Sequence, residues 1–399
     1  MGEIKNKLLF FPSLSVGEYS ALMEKNFRIN DKTTVRFYDE DYTTPSLFHP
    51  YFLITAGHFY NIPHAREKWA LNKDVLVMGD SGGYQIATGV MKEKFSQSLL
   101  EKIFIWLENN SDLAFALDFP PRMKNVNDFK NSLEMSYQNF KYFDEHQSGK
   151  TKFLNILHGP HLTYNHMDTW YQRVKDLDFN GWGIGGVRNI DKAVLSMAFL
   201  LEKGEFEKPK RDYYHFLGVS SLDLLICLVI MQKELNDRYG DKVQITTDSS
   251  SPGLSTVFGT YYHSINWKNQ CFNHIRVSKN SEHNEDVKLP CLLECDACEN
   301  VTFKDISAFD KHQRAIFTLH NLNVFRKAID QVDMIVNCND DIKKDMFGST
   351  FFNLYKIIHE IFASDKPISL YNKHHTFLKQ FSNAVSTFDK EQVKEFFNF

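Results

Sequence analysis

Three aspartates stand where short apolar runs end. Asp80 closes Val75-Leu-Val-Met-Gly-Asp80, Asp118 closes Leu113-Ala-Phe-Ala-Leu-Asp118, and Asp248 closes Val243-Gln-Ile-Thr-Thr-Asp248. Carboxylates that meet in one pocket can divide a group transfer between a nucleophile and an acid or base. Asp80 runs into Ser81-Gly82-Gly83-Tyr84-Gln85, where paired glycines let the backbone turn sharply and admit a ligand closely. One acidic strand end reads equally well as a helix cap; three are harder to dismiss. Asp248 precedes Ser249-Ser-Ser-Pro252, a loop of small residues that leaves its carboxylate accessible. Gly185-Gly186 and His158-Gly159 end two further runs, and glycines there let a flat ligand reach backbone amides.

The second chemistry is metal binding. Of six cysteines, Cys227, Cys271, Cys291, Cys295, Cys298 and Cys338, three crowd into the eight positions 291–298. Cys295-x-x-Cys298 sets two thiolates on one tight turn, which suits tetrahedral zinc with sulfur at about 2.3 Å. Cys291 just upstream and His320 downstream complete a Cys3His set, closed by protein and therefore structural. The alternative is a group of reduced, buried cysteines.

These residues need a scaffold that brings distant strand ends together. From Tyr51 the chain alternates short apolar runs, at 51–57, 75–79, 113–118, 153–158, 182–187, 214–219 and 243–248, with stretches of helical period such as 95–109, 126–145, 190–203 and 222–239. Seven β-then-α units predict a TIM (β/α)8 barrel, whose carboxyl-terminal strand ends form one pocket. The eighth strand is the weakest, and Cys271-Phe-Asn-His-Ile-Arg-Val277 is the candidate. A doubly wound open sheet is the alternative, though no Gly-x-Gly-x-x-Gly follows the first strand. The implied organisation is an N-terminal segment 1–50 packing on the barrel (with a short strand at Leu8 to Pro12), a barrel core 51–278, an inserted zinc-binding subdomain 279–330, and a C-terminal helical region 331–399.

Composition excludes several classes. Hydrophobic residues at 43% and charged ones at 24% describe a soluble globular protein, and no apolar run nears the roughly 20 residues that span a bilayer. No signal peptide is legible, so a cytoplasmic location and no membrane partner are expected. Lys and Arg total 46 against 50 Asp and Glu, a net charge of -4, so a nucleic-acid partner requires a local basic face. Lys203, Lys208, Lys210, Arg211, Arg276 and Lys279 are candidates for it.

Taken in order, Asp80-Ser-Gly-Gly-Tyr-Gln85, Gly183-Ile-Gly-Gly-Val187, the Asp248 strand end, and Cys295-x-x-Cys298 with Thr318-Leu-His-Asn321 resemble the tRNA-guanine transglycosylase family, over roughly Phe52 to Phe325. The resemblance implies a TIM barrel with a zinc subdomain that exchanges guanine for a 7-deazaguanine base in nucleic acid. It implies Asp248 as nucleophile on C1′ and Asp80 as the group handling protons on the departing and arriving bases. It further implies that Asp118 binds the guanine-like edge beside Ser81 and His158, that the Gly185-Gly186 backbone contacts the exocyclic carbonyl, and that Tyr84 and Leu217 sandwich the ring. Structural Zn2+ on Cys291, Cys295, Cys298 and His320 is the only cofactor implied.

The chain departs from the tRNA-acting pattern at several places. His158-Gly159-Pro160 stands where the family has Gln-Gly-Gly, and Asp248-Ser-Ser-Ser-Pro-Gly-Leu254 lacks the family's basic residue. Gly185-Gly-Val-Arg-Asn189 lacks the acidic residue that meets an aminomethyl group, and the first zinc cysteine is displaced, since the family pattern would put it at Leu293. These differences point to a neutral incoming base such as 7-cyano-7-deazaguanine. They also point to a target in DNA, as in the 7-deazaguanine DNA transglycosylases. A divergent tRNA enzyme and a non-catalytic, zinc-stabilised partner subunit are the alternatives; with the DNA-acting reading go, as further partners, a second copy of the chain (a homodimer) or a partner protein of a DNA-modification system.

Overall fold

The computed structural model describes residues 6–13, 22, 35–91, 93–121, 127–159, 163–276, 288, 291, 295–298, 301–302 and 311–381. Eight parallel strands form one sheet: β1 (Leu9–Pro12), β2 (Tyr51–Thr55), β3 (Leu76–Asp80), β4 (Leu113–Phe115), β5 (Lys152–Leu157), β6 (Gly181–Ile184), β7 (Tyr213–Phe216) and β8 (Gln244–Ser249). Their order runs β1-β8-β7-β6-β5-β4-β3-β2, and a parallel bridge between Ser13 and Leu53 joins its two ends. The result is a TIM-like α/β barrel. Seven of its strands are the β-then-α runs read from the sequence; the eighth is the short strand expected at Leu8 to Pro12, which belongs to the barrel itself.

Residues 271–276, expected as the last barrel strand, instead form β10 (Cys271–Arg276), paired antiparallel with β9 (Thr260–Asn266) in a separate hairpin. Closure comes from the other end of the chain, where β1 pairs with β8 in the register Phe11 to Asp248. The physical reason is burial: a strand between two barrel neighbours is covered on both faces, as Leu9-Phe-Phe-Pro12 is, whereas β10 is mostly half-exposed. The 1–50 segment therefore supplies a barrel strand, and the barrel does not extend to residue 278.

Of the α-helices between the strands, three start at side-chain caps. Ser96, Thr163 and Asn189 accept from the backbone N–H groups of Leu99, His166 and Lys192, opening helices Gln97–Asn110, Tyr164–Val174 and Ile190–Glu202. Helix Leu222–Tyr239 carries the longest apolar run. It is buried on most sides because helices Lys311–Val336 and Asp340–Phe362 pack over it. The C-terminal helical region thus covers the barrel, with a further helix at 367–381; residues 382–399 lie outside the described residues. Among the described residues, no helix is long and apolar enough to cross a membrane.

Candidate active site and metal centre

The carboxyl ends of the strands open onto a cavity of about 830 Å³. That is within the roughly 300–1,000 Å³ typical of small-molecule sites. Asp80, Asp118 and Asp248 all line it, with Tyr84, His158, Gly185, Gly186 and Leu217. Ser81 is different: it is 1% exposed, its hydroxyl has no hydrogen-bond partner among the described residues, and it does not line the cavity.

Asp248, the penultimate residue of β8, is held by one oxygen. Its Oδ1 accepts from the Gly218 backbone N–H at 2.7 Å and from His215 Nε2 at 3.1 Å. Oδ2 has neither bond and is left for the cavity. A carboxylate anchored this way keeps a fixed rotation and one uncommitted oxygen, the form a nucleophile requires.

Asp80 sits at the end of β3, in register with Thr55 on β2. It accepts from Thr55 Oγ1 at 2.9 Å and from the Gly82 N–H at 3.0 Å. Burial pushes its carboxyl up to about 6, the two hydrogen bonds oppose that, and the charges of Asp248 and Asp118 raise it further. An acid that titrates near neutrality can both give and take a proton under ordinary conditions.

Asp118, three residues past β4, receives a 2.6 Å contact from His158 Nε2. The carboxylate only accepts, so Nε2 carries the hydrogen. His158 is 5% exposed and its Nδ1 has no partner among the described residues, while Trp170 packs T-shaped against the ring with centroids 4.8 Å apart. Two glycines make room for this pair. A Cβ on Gly185 would lie 2.7 Å from His158 Cε1, and one on Gly83 would lie 2.2 Å from the Asp118 carbonyl oxygen.

The expected basic face does not belong to this site. Lys203 pairs with Asp168, Lys208 with Glu205 and Lys210 with Asp178. Arg211 is buried against Glu205 and the carbonyls of Leu177 and Lys175. These residues precede β7 and so crowd the opposite, amino-terminal end of the barrel. Arg276 bonds the Phe258 carbonyl, and Lys279 lies outside the described residues. The cation that does line the cavity is Arg188, exposed and with no ion pair among the described residues.

His215 and Arg188 were not recognised as site residues from the sequence. A signal for His215 exists: in Tyr213-Tyr-His-Phe216 it is the polar residue of an otherwise aromatic strand, and its register partner is Thr246, two residues before Asp248 and hence on the same face. Arg188 carries no such signal, because its accessibility depends on how the β6 loop turns at Gly186, whose φ is 77°.

Away from the cavity, ligand atoms of Cys291, Cys298 and His320 lie within 4.8 Å of one another and could hold a metal ion. Cys291 Sγ is 4.0 Å from His320 Nδ1, against roughly 3.5 Å expected for two ligands of tetrahedral zinc. His320 Nε2 donates to the Tyr262 carbonyl at 2.5 Å, which fixes the tautomer that turns the Nδ1 lone pair toward the sulfurs. Cys295 adjoins the trio: hydrogen bonding with Cys298 draws its thiol below the usual range, against the effect of burial. The Cys298 N–H donates to the Cys295 carbonyl at 3.0 Å, closing the tight turn expected of Cys-x-x-Cys. Cys291, the displaced cysteine of the sequence pattern, is therefore in reach. When the chain is compared with family models and with curated proteins, nothing matches it.

Proposed function

We propose that this protein is a base-exchange transglycosylase that replaces guanine in DNA with a 7-deazaguanine, through a covalent bond between Asp248 and the sugar. The observation that carries the reading is the meeting of Asp80, Asp118 and Asp248 around one cavity, each held by different hydrogen bonds. In the first half-reaction a lone pair of Asp248 Oδ2 bonds C1′. The glycosidic C–N bond breaks, its electrons go to the departing base, and the Asp80 carboxyl protonates that base. In the second, Asp80 takes a proton from the incoming base, whose ring nitrogen bonds C1′ while the C1′–Oδ2 pair returns to Asp248. Two inversions retain the configuration, as in retaining glycosidases.

Asp118, oriented by His158, is the acceptor for the N–H groups of a guanine-like edge. The target nucleotide leaves its stack to enter the barrel mouth, which is least costly in a mismatched or single-stranded segment. We assign the Cys291, Cys295, Cys298 and His320 cluster to zinc in a structural role. The DNA assignment rests on the absence of basic residues in Asp248-Ser-Ser-Ser-Pro-Gly-Leu254, and the neutral incoming base on the lack of an acidic residue in Gly185-Gly-Val-Arg-Asn189.

The test is incubation of the protein with 7-cyano-7-deazaguanine and duplex DNA, single-stranded DNA or tRNA, followed by nucleoside digestion and mass spectrometry. Incorporation into DNA that disappears with Asp248→Ala is the expected result. Incorporation into tRNA alone overturns the DNA assignment, and exchange into none of the three overturns the reaction.

A further inference from the structure

We infer that His215 is the positioning residue of Asp248, and that with Thr246 it decides which carboxylate oxygen is free to bond carbon; this rests on the base-exchange reading. His215 is 0% exposed, so it meets no substrate. Its ring lies between Phe115, with centroids 4.8 Å apart, and Phe11, at 6.4 Å. In this apolar slot each ring nitrogen meets one polar side chain among the described residues: Nδ1 is 2.8 Å from Thr246 Oγ1 and Nε2 is 3.1 Å from Asp248 Oδ1.

The direction of that chain follows from what each group can do. An ionised carboxylate only accepts, so Nε2 carries a hydrogen. In the neutral ring Nδ1 then holds the lone pair, and the Thr246 hydroxyl donates to it. Thr246 thus selects the tautomer and His215 delivers one N–H to Oδ1, where the Gly218 N–H already points. Two donors on one oxygen do three things. They set the rotation of the carboxylate, they leave Oδ2 as the attacking atom, and they stay with Oδ1 when Oδ2 departs from C1′ and the carboxylate regains its charge. Donors preorganised toward a developing anion lower the barrier for the step in which it forms.

His215→Phe, His215→Gln and Thr246→Val separate this role from packing. With the exchange assay, His215→Phe lowers kcat by roughly 100- to 1,000-fold, as removal of one preorganised donor does, with KM for the free base unchanged. The amide of His215→Gln restores part of that loss, and Thr246→Val costs less than His215→Phe. Equal impairment by Phe and Gln, or a kcat within twofold of wild type for the folded Phe variant, overturns the inference. An arm independent of activity uses 15N-labelled histidine in the intact protein. The wild type shows His215 as the Nε2–H tautomer and Thr246→Val mixes the two; an Nδ1–H tautomer in the wild type overturns the positioning role even if exchange is observed. Should the wild type exchange no base while the tautomers behave as described, the reaction is misassigned and the hydrogen-bond chain stands.

Discussion

Replacing Asp80 with asparagine separates what this carboxyl costs the fold from what it does. The group is lifted from 3.8 to about 6, chiefly because burial disfavours its charge. At about 1.4 kcal/mol per pH unit, that lift is a penalty of about 3 kcal/mol on folding with Asp80 ionised. The sign follows from the direction of the shift. Below about pH 3 the group is largely protonated in both folded and unfolded chains and costs little. Above pH 6 the folded chain must hold a charge that the unfolded chain holds more easily, so the penalty is complete. Asp80→Asn removes that charge and keeps both hydrogen bonds, its carbonyl accepting from Gly82 and its amide donating to a Thr55 hydroxyl that turns around. The cavity admits solvent, which makes 3 kcal/mol a ceiling. The variant is therefore expected to gain up to about 1 kcal/mol at pH 4.5 and up to about 3 kcal/mol at pH 8. Urea unfolding followed by tryptophan fluorescence at the two pH values measures the difference. A gain that does not grow with pH, or a variant less stable than wild type at pH 8, refutes the reasoning. The same variant should lose the proposed base exchange, the usual trade of stability against function where a buried charge serves a reaction.

Three further outcomes follow from other parts of the molecule. Gly185→Ala brings a Cβ to 2.7 Å from His158 and forces the ring off Asp118, so KM for the base should rise roughly 10- to 100-fold with kcat little changed, as loss of a hydrogen bond to a charged group predicts; an unchanged KM would show that the pair does not orient the base. Arg188→Ala should weaken DNA binding at low salt and flatten the dependence of log affinity on log salt by about one phosphate's worth, which fluorescence anisotropy at several salt concentrations reads. An unaltered slope removes Arg188 from the DNA interface. Elemental analysis should find about one zinc per chain, reduced by Cys298→Ser. Because His320 holds Tyr262 and Asn321 holds Pro252 and Thr260, loss of the metal should speed amide exchange in β9 and in the segment behind Asp248 while β5 stays protected; uniform acceleration would mean that the cluster supports the whole fold instead.

Much of the barrel was legible because the signals are local. A strand buried on both faces must be apolar along its length, and a helix covering it must show its own period, so seven units could be counted from residue types alone. Helix Leu222–Tyr239 lies where its periodicity put it. The eighth strand escaped because closure is not local. Leu9-Phe-Phe-Pro12 and Cys271 to Arg276 are both short apolar-to-mixed runs, and only the partner available to each, β8 or β9, separates them.

The chemistry divides the same way. The sequence by itself determined which residues could react, since a carboxylate at a strand end, a glycine beside it and a Cys-x-x-Cys turn are properties of type and spacing. The tertiary structure alone decided which of them meet and in what state. It placed Asp118 against His158, buried Asp80 until its acidity fell, and brought Cys291 within reach of His320. It also turned Lys203, Lys208, Lys210 and Arg211 from a candidate nucleic-acid face into ion pairs at the far end of the barrel. Acidity, pairing and hydrogen-bond direction depend on solvent exclusion and on neighbours distant in the chain, and those exist only once the barrel has closed.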